Sequence, residues 1–376
     1  MSALDRPVDA RLPAALRAGV AWLCLLGLWS DLPEWSRCFA VWSYGREAYL
    51  WAPWALVALA AVGALGLLHD HPRRASGALV LGALAGLYAL VPATWHNNLY
   101  LLWLLVGACA FTPGPRAGLR WLLKEDRAPL PDEGPLLPWL VRTQLQVVYL
   151  GSVLVKLTHP WWSGTGQVLR WAATVRQPSQ HHGWWNGLLA PLVSVPWVAS
   201  LVDVGVTAGE ATLPLFLVSP RWRGAALAAG ALLHCAMQEW LFPQLFSFLM
   251  LLGYFAFGPV GDRAWGVRWD PETRWASALG AWGERLDWLG RARWEPAAGA
   301  AFRVTDPAGR ALDGPLAVAL LAPLTPATVL VYALLALGDG GRLAAAREPL
   351  ENAVVAAALV AWAAARVRLT AAWSAP

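Results

Sequence analysis

Charge is what this chain has least of. Of its 376 residues only 14% are Asp, Glu, Lys or Arg, 57% are hydrophobic, and the mean hydropathy is +0.44. Soluble domains carry about 25% charged residues, so a water-soluble globular protein of ordinary composition is excluded. Cysteine is scarce too. Cys24, Cys38, Cys109 and Cys235 show no CxxC or other metal spacing, and three of them lie in or beside apolar runs. That argues against a disulfide framework and a zinc site. A P-loop, a GxSxG elbow, a dinucleotide fingerprint and an HExxH helix are also missing, and no metal is expected. The net charge of +5 and the pI near 9.3 do not imply nucleic acid. The Lys and Arg residues sit in short clusters between apolar runs, which is a membrane topology signal.

Apolar runs fill the space that charge leaves. With roughly 20 residues needed to cross a bilayer, candidate spans fall at 12–32, 49–68, 75–92, 95–112, 136–157, 193–218, 224–240, 243–258, 316–337 and 350–367. The first carries Arg17 and has no small-residue cleavage site behind it, so it reads as a retained helix and not a signal peptide. The seventh and eighth are short and separated only by Leu241 and Phe242, which suits a tilted or re-entrant pair. Many of the 26 Trp residues cluster at run ends, as in an interfacial aromatic belt. The fold expected is all-α: a polytopic transmembrane helical bundle of about 8 to 10 spanning helices, with one amphipathic interfacial helix.

Basic residues orient the stack, because loops rich in Lys and Arg stay cytoplasmic. Arg6 and Arg11, Arg73 and Arg74, the group from Arg116 to Arg127, Arg221 and Arg223, and Arg263 and Arg268 fall on alternate connections. Those sides, and with them the N-terminus, are expected inside a multi-pass cell-membrane protein. Arg37, Arg46, Arg342 and Arg347 depart from the pattern. The one sizeable polar stretch runs from 260 to 315. Within it Trp275, Leu279, Trp282, Leu286 and Leu289 form one helical face. Asp270 stands where an N-cap would, with Pro271 at the first turn. This helix is expected to lie flat on the cytoplasmic membrane surface, with a hairpin or loop over Arg303–Leu312 after it.

Ionisable groups inside spans are costly, so each one asks for a partner, a wet cavity or a function. In the fifth run Arg142, Gln146, Tyr149 and Lys156 are spaced by 4, 3 and 7 residues, which sets them on one stripe facing a cavity. Lys156 reads either as a lysine snorkelling to the interface or as the basic end of that stripe. Trp95, His96, Asn97, Asn98 and Tyr100 open the fourth run from the same outer side, His181 and His182 follow Lys156, and His234 falls in the outer half of the seventh run. His234 reads as a packing residue or as a catalytic one; several such groups at one depth favour the second. Asp203 and Glu210 share a face of the sixth run, and Glu210 has Arg142 as a candidate structural partner.

These residues resemble a family. The run Arg142-Thr-Gln-Leu-Gln146-Val-Val-Tyr149-Leu-Gly-Ser-Val-Leu-Val-Lys156-Leu157 with Trp161-x-x-Gly164 resembles the signature of HTTM-domain proteins, bacterial relatives of vitamin K-dependent gamma-carboxylase. Trp95-His96-Asn97-Asn98-Leu99-Tyr100-Leu101 is similar to the family's Trp-Asn-x-His-x-Tyr-Leu pattern, and His234-Cys235 precedes Phe246-Ser247 as it should. Asn98 stands where the pattern has its histidine. The resemblance implies a carboxylase-like transmembrane domain over 10–260, followed by the interfacial helix and loop over 261–314 and a C-terminal helix pair over 315–376. It implies a lyase-like reaction in which Lys156 deprotonates a reduced, vitamin K-like quinone. His234 would assist, and the quinone oxygens and any peptide substrate would meet Trp95, His96, Asn97, Asn98, Tyr100, Arg142, Gln146, Tyr149, Trp161 and Glu210. Beside this stand two other expectations: a non-catalytic membrane protein of transport, binding, peptide export or immunity, and a membrane scaffold whose polar residues only pair with one another.

Overall fold

The computed structural model describes residues 8–42, 51–70, 72–94, 97–114, 117–123, 134–158, 194–241, 245–258, 263–299, 302–314 and 325–337, with a few isolated positions between them. They form helices α1 (Arg11–Trp42), α2 (Trp51–Leu68), α3 (Arg73–Leu90), α4 (Asn97–Phe111), α5 (Leu136–Thr158), α6 (Pro196–Val218), α7 (Arg223–Leu241) and α8 (Leu245–Tyr254). Strand β1 (Trp265–Trp269), helix α9 (Arg274–Leu286) and strands β2 (Ala292–Pro296), β3 (Phe302–Thr305) and β4 (Ala311–Asp313) follow, and then α10 (Pro326–Leu337).

Helix α1 is sheathed by α2, α4, α8 and α10. It runs ten residues beyond the expected end, because Trp35 and Phe39, one turn apart, are fully buried and carry the apolar stripe past Asp31. Phe39 meets Trp54 of α2 edge-on at 4.9 Å between ring centroids. Glycines set the closest approaches: Gly19 abuts Leu252 and Gly27 abuts Leu245, so α1 and α8 run antiparallel.

Away from this core the helices turn apolar residues outward. Leu59, Val62 and Leu65 of α2, Val147, Leu150, Leu154 and Leu157 of α5, and Leu201, Val204 and Leu215 of α6 are all exposed. Ridges of that extent do not face water in a monomeric soluble protein. Arg11–Leu32 within α1, α2 and α6 are each long and apolar enough to cross a membrane.

Arginines fasten one end of the bundle. Arg17 Nη2 donates to Pro113 O at 3.1 Å and Arg73 Nη2 to Gly114 O at 3.2 Å. The Asp70 carboxylate accepts from Ala117 N at 2.7 Å and faces Arg73 at 3.6 Å. Arg142 Nε donates to Ala256 O at 2.6 Å. With α1 and α8 antiparallel, the start of α1, the α2–α3 turn, the exit of α4, the start of α5 and the exit of α8 therefore gather together.

The all-α expectation needs a correction at 263–314, where a four-stranded sheet of order β2-β1-β3-β4 stands. β3 and β4 are the expected hairpin. β1 pairs antiparallel with β3, matching Val267 to Val304, and parallel with β2 through α9, matching Trp265 to Ala292. A Trp-Gly-Val-Arg-Trp strand buries so few side chains that its period is hard to read beside Arg and Asp. Asp270 does not cap α9 either. Its carboxylate accepts from Glu272 N and Thr273 Oγ1 in the turn before the helix, and Thr273 is the N-cap residue. At the other end the Asp287 carboxylate accepts from Arg291 N, Ala292 N and Trp294 Nε1, which ties α9 to β2.

In the β3–β4 turn, desolvation pushes the Asp306 carboxyl up. Bonds from Arg310 and from the Ala308 and Arg310 amides outweigh this and hold it below the ordinary range. Arg303 does the same for exposed Asp313 through bonds of 2.6 and 3.0 Å. The ninth candidate span is helical as α10 over its second half, and the tenth lies outside the described residues.

Candidate functional site

Three turns of α5 carry the site. Tyr149, Ser152 and Lys156 follow at intervals of three and four residues, which aligns them on one side of the helix. That side packs on α6 and α8, while Val147, Leu150 and Leu154 turn outward. Tyr149 and Lys156 are buried, at 2% and 6% exposure. Lys156 therefore does not snorkel, and its long side chain folds inward.

The amine meets a carboxylate from α6. Lys156 Nζ donates to Glu210 Oε2 at 2.5 Å, and Ser152 Oγ donates to the same oxygen at 2.9 Å. Glu210 is 4% exposed. A lone charge at such a place would cost several kcal/mol, and the pairing removes most of that penalty. Arg142, the other candidate partner for Glu210, is spent at the bundle end on Ala256 O and lies 5.7 Å over the Phe257 ring.

Two turns deeper lies a chain of hydroxyls and imidazole. Tyr149 Oη and His234 Nε2 of α7 are hydrogen-bonded at 2.7 Å, and Tyr149 Oη also bonds Tyr254 Oη of α8. The His234 ring sits among Tyr149, Phe246 and Tyr254, with centroids 5.8 to 5.9 Å apart. Gly230, one turn before His234, makes room for Tyr254, since a Cβ there would lie 2.6 Å from Tyr254 Cζ. His234 Nδ1 and Ser247 Oγ are buried with no hydrogen-bond partner among the described residues. The pair and the chain meet on α5, where Tyr149 and Lys156 stand seven residues, two turns, apart on one side of the helix.

The remaining sequence candidates divide. Gln146 is half-buried beside the site, and Tyr100 is 50% exposed. Asn97 and Asn98 open α4, and their side chains lie outside what the structure describes. Trp95, His96, Trp161, His181 and His182 also lie outside the described residues. Asp203 is buried on the same helix as Glu210. Sequence reasoning missed Ser152, which its spacing from Tyr149 and Lys156 could have found, and Tyr254, whose one signal is a hydroxyl within an apolar helix. Among the described residues no three His, Cys, Asp or Glu side chains gather as a metal site.

No protein-family model, curated protein or solved structure matches this chain. What the site can do rests on its geometry: a buried amine–carboxylate pair beside a hydroxyl–imidazole chain has the donors and acceptors to hold or exchange a proton away from water.

Proposed function

We propose that this chain is a multi-pass membrane protein, N-terminus inside, that takes a proton from a lipophilic hydroxyl compound, a reduced quinone in the first instance, in the manner of the carboxylase-like family it resembles. The observation that carries this reading is the buried Lys156–Glu210 pair, two turns along α5 from Tyr149, which is itself bonded to His234 and Tyr254. Paired as an ammonium and a carboxylate, Lys156 has no lone pair to offer. With its proton moved onto Glu210, the amine gains one and accepts the substrate's hydroxyl proton; Ser152 then stays on Glu210 and fixes that carboxyl. Proton transfer between groups at 2.5 Å needs no water.

The residues suit an aromatic diol. Phe246 and the tyrosine rings make the surroundings of His234 apolar, and His234 Nδ1 and Ser247 Oγ are polar atoms without a partner among the described residues, each able to bond a hydroxyl or carbonyl oxygen. A bound quinol would supply the reducing chemistry; the chain's part is to hold the ring, take the proton and exclude water. A lyase-like carboxylation of a peptide would follow only from the resemblance.

The test is direct. Purified protein in nanodiscs, given reduced quinone, dioxygen and bicarbonate, should oxidise the quinol faster than protein-free nanodiscs, and Lys156→Ala should abolish the difference. Oxidation that survives the substitution removes the mechanism. A second reading, a non-catalytic transport, binding or export protein, is favoured by one feature: the Lys156 amine is already satisfied by Glu210. Saturable quinone binding without oxidation would support it.

A further inference from the structure

Helix α9 meets the sheet through its small residues, and its large apolar stripe lies beside that face. Its small residues, Ala276, Gly280 and Gly283, face the strands, and Trp269 and Trp294 press so closely there that a Cβ on either glycine would clash with an indole. Its large apolar residues stand to one side and remain open: Trp275, whose ring lies tilted against Phe302 of β3 at 6.0 Å between centroids, is 42% exposed, Leu279 37% and Trp282 58%. A helix on a sheet normally buries its large apolar stripe, so an exposed one of two indoles and a leucine marks a contact surface.

Three observations say what meets it. First, the end of α9 is fastened to the membrane-crossing part of the chain. Trp288 and Leu289, just beyond it, are buried in the same core as α1 and α8, Thr325 Oγ1 donates to Leu286 O, and the Arg11 guanidinium lies against Gly290, whose φ of +60° suits glycine. Arg11 begins α1, so α9 ends at the level at which a candidate span begins. Second, that end of the bundle already carries exposed interfacial tryptophans, Trp139 near the start of α5 and Trp222 before α7, the latter beneath Arg221. Third, Arg274 and Arg285 flank the stripe, and Arg285 lies 5.7 Å over the Trp282 ring. Indole, leucine and guanidinium in this order suit the headgroup region of an anionic bilayer.

We infer that the α9 face carrying Trp275, Leu279 and Trp282 docks on the lipid surface, so that the sheet unit rides on the membrane at the bundle's basic end instead of standing clear in water. The inference is independent of any chemistry at Lys156. It keeps the sequence expectation of a helix flat on the membrane and extends it: the helix meets the lipid as one side of an α/β unit, so the sheet is brought to the surface with it.

The test uses the full chain in nanodiscs of phosphatidylcholine and phosphatidylglycerol. With the four native cysteines changed to Ala, Leu279→Cys, Trp282→Cys and, on the polar flank, Ala281→Cys are spin-labelled in turn. Labels at 279 and 282 should collide with dissolved oxygen several-fold more than with a water-soluble nickel chelate, and the label at 281 should show the reverse. Equal nickel accessibility at all three positions overturns the inference, as does protection from both reagents at 279 and 282, which would mean that protein covers the stripe. Unmodified protein provides a check free of mutations. A phospholipid carrying a headgroup photocrosslinker should label the Arg274–Arg285 peptide; adducts confined to α2, α5 and α6 would equally overturn the proposal.

Discussion

Removing Glu210 should harm the protein more than removing Glu210 and Lys156 together. In Glu210→Leu the Lys156 amine, 6% exposed, keeps its place in an apolar bundle and loses the carboxylate at 2.5 Å; Ser152 Oγ loses its acceptor as well. Breaking a buried pair from one side costs about 3–5 kcal/mol, and the stranded hydroxyl adds about 1 kcal/mol. In Lys156→Met with Glu210→Leu nothing charged is stranded. Apolar replacement of a buried pair is roughly neutral, so the double variant should regain at least ~2 kcal/mol over Glu210→Leu alone. The assay is reversible unfolding of the full chain in lipid bicelles by steric trapping, with each single variant and the double measured side by side. If the double variant loses the sum of the two single losses, the residues do not interact, and the site as described does not exist.

Other outcomes follow from the same geometry. Gly230→Ala drives a methyl into the Tyr254 ring and should cost ~1–3 kcal/mol in the same assay. Tyr254→Phe in that background should recover part of the loss, because the hydroxyl nearest the new methyl is gone. For the sheet unit the sign comes from Asp306, whose folded pKa lies below its ordinary value. Its stabilising effect is therefore complete above the unfolded carboxylate range, at about pH 4, and is lost as pH falls through the lower folded value. Hydrogen exchange at the Ala308 and Arg310 amides should stay protected at neutral pH and lose protection only below that range, whereas Asp306→Asn should remove the pH-dependent part of the change. Raised salt should loosen the exposed Arg303–Asp313 pair while leaving Lys156–Glu210 intact, read as a shift in unfolding of the sheet unit alone.

Much of the helical frame was legible because spanning helices are written in long apolar runs: among the described residues seven of the expected runs, the second to the eighth, reappear as helices within a few residues of their bounds, while the first runs longer and the ninth shorter. Lys156, Tyr149, Glu210 and His234 were legible for the complementary reason: a polar residue in such a run stands out. Their pairing was not. Lys156 and Glu210 are 54 residues apart, and sequence spacing on one helix cannot say which neighbouring helix supplies the partner, so Arg142 and not Lys156 was the partner named for Glu210. Tyr254 escaped notice because tyrosine is ordinary in apolar helices and only its contact with Tyr149 gives it a role. The sheet was half legible. The hairpin showed through its Asp306-Pro307-Ala308-Gly309 turn, but β1 and β2 are held by pairing across the sheet and by Trp269 and Trp294 against the glycines of α9, contacts that no local spacing announces.

The central claim is that the Lys156 amine is sheltered within the protein beside Glu210, and the chain offers a clean measurement of it, since Lys124 is its one other lysine. Protein in nanodiscs is treated with a water-soluble acylating reagent, and modification of each lysine is followed by mass spectrometry against the unfolded chain. Lys156 should react at least an order of magnitude more slowly in the folded protein than in the unfolded one; equal rates in the two states would contradict the account.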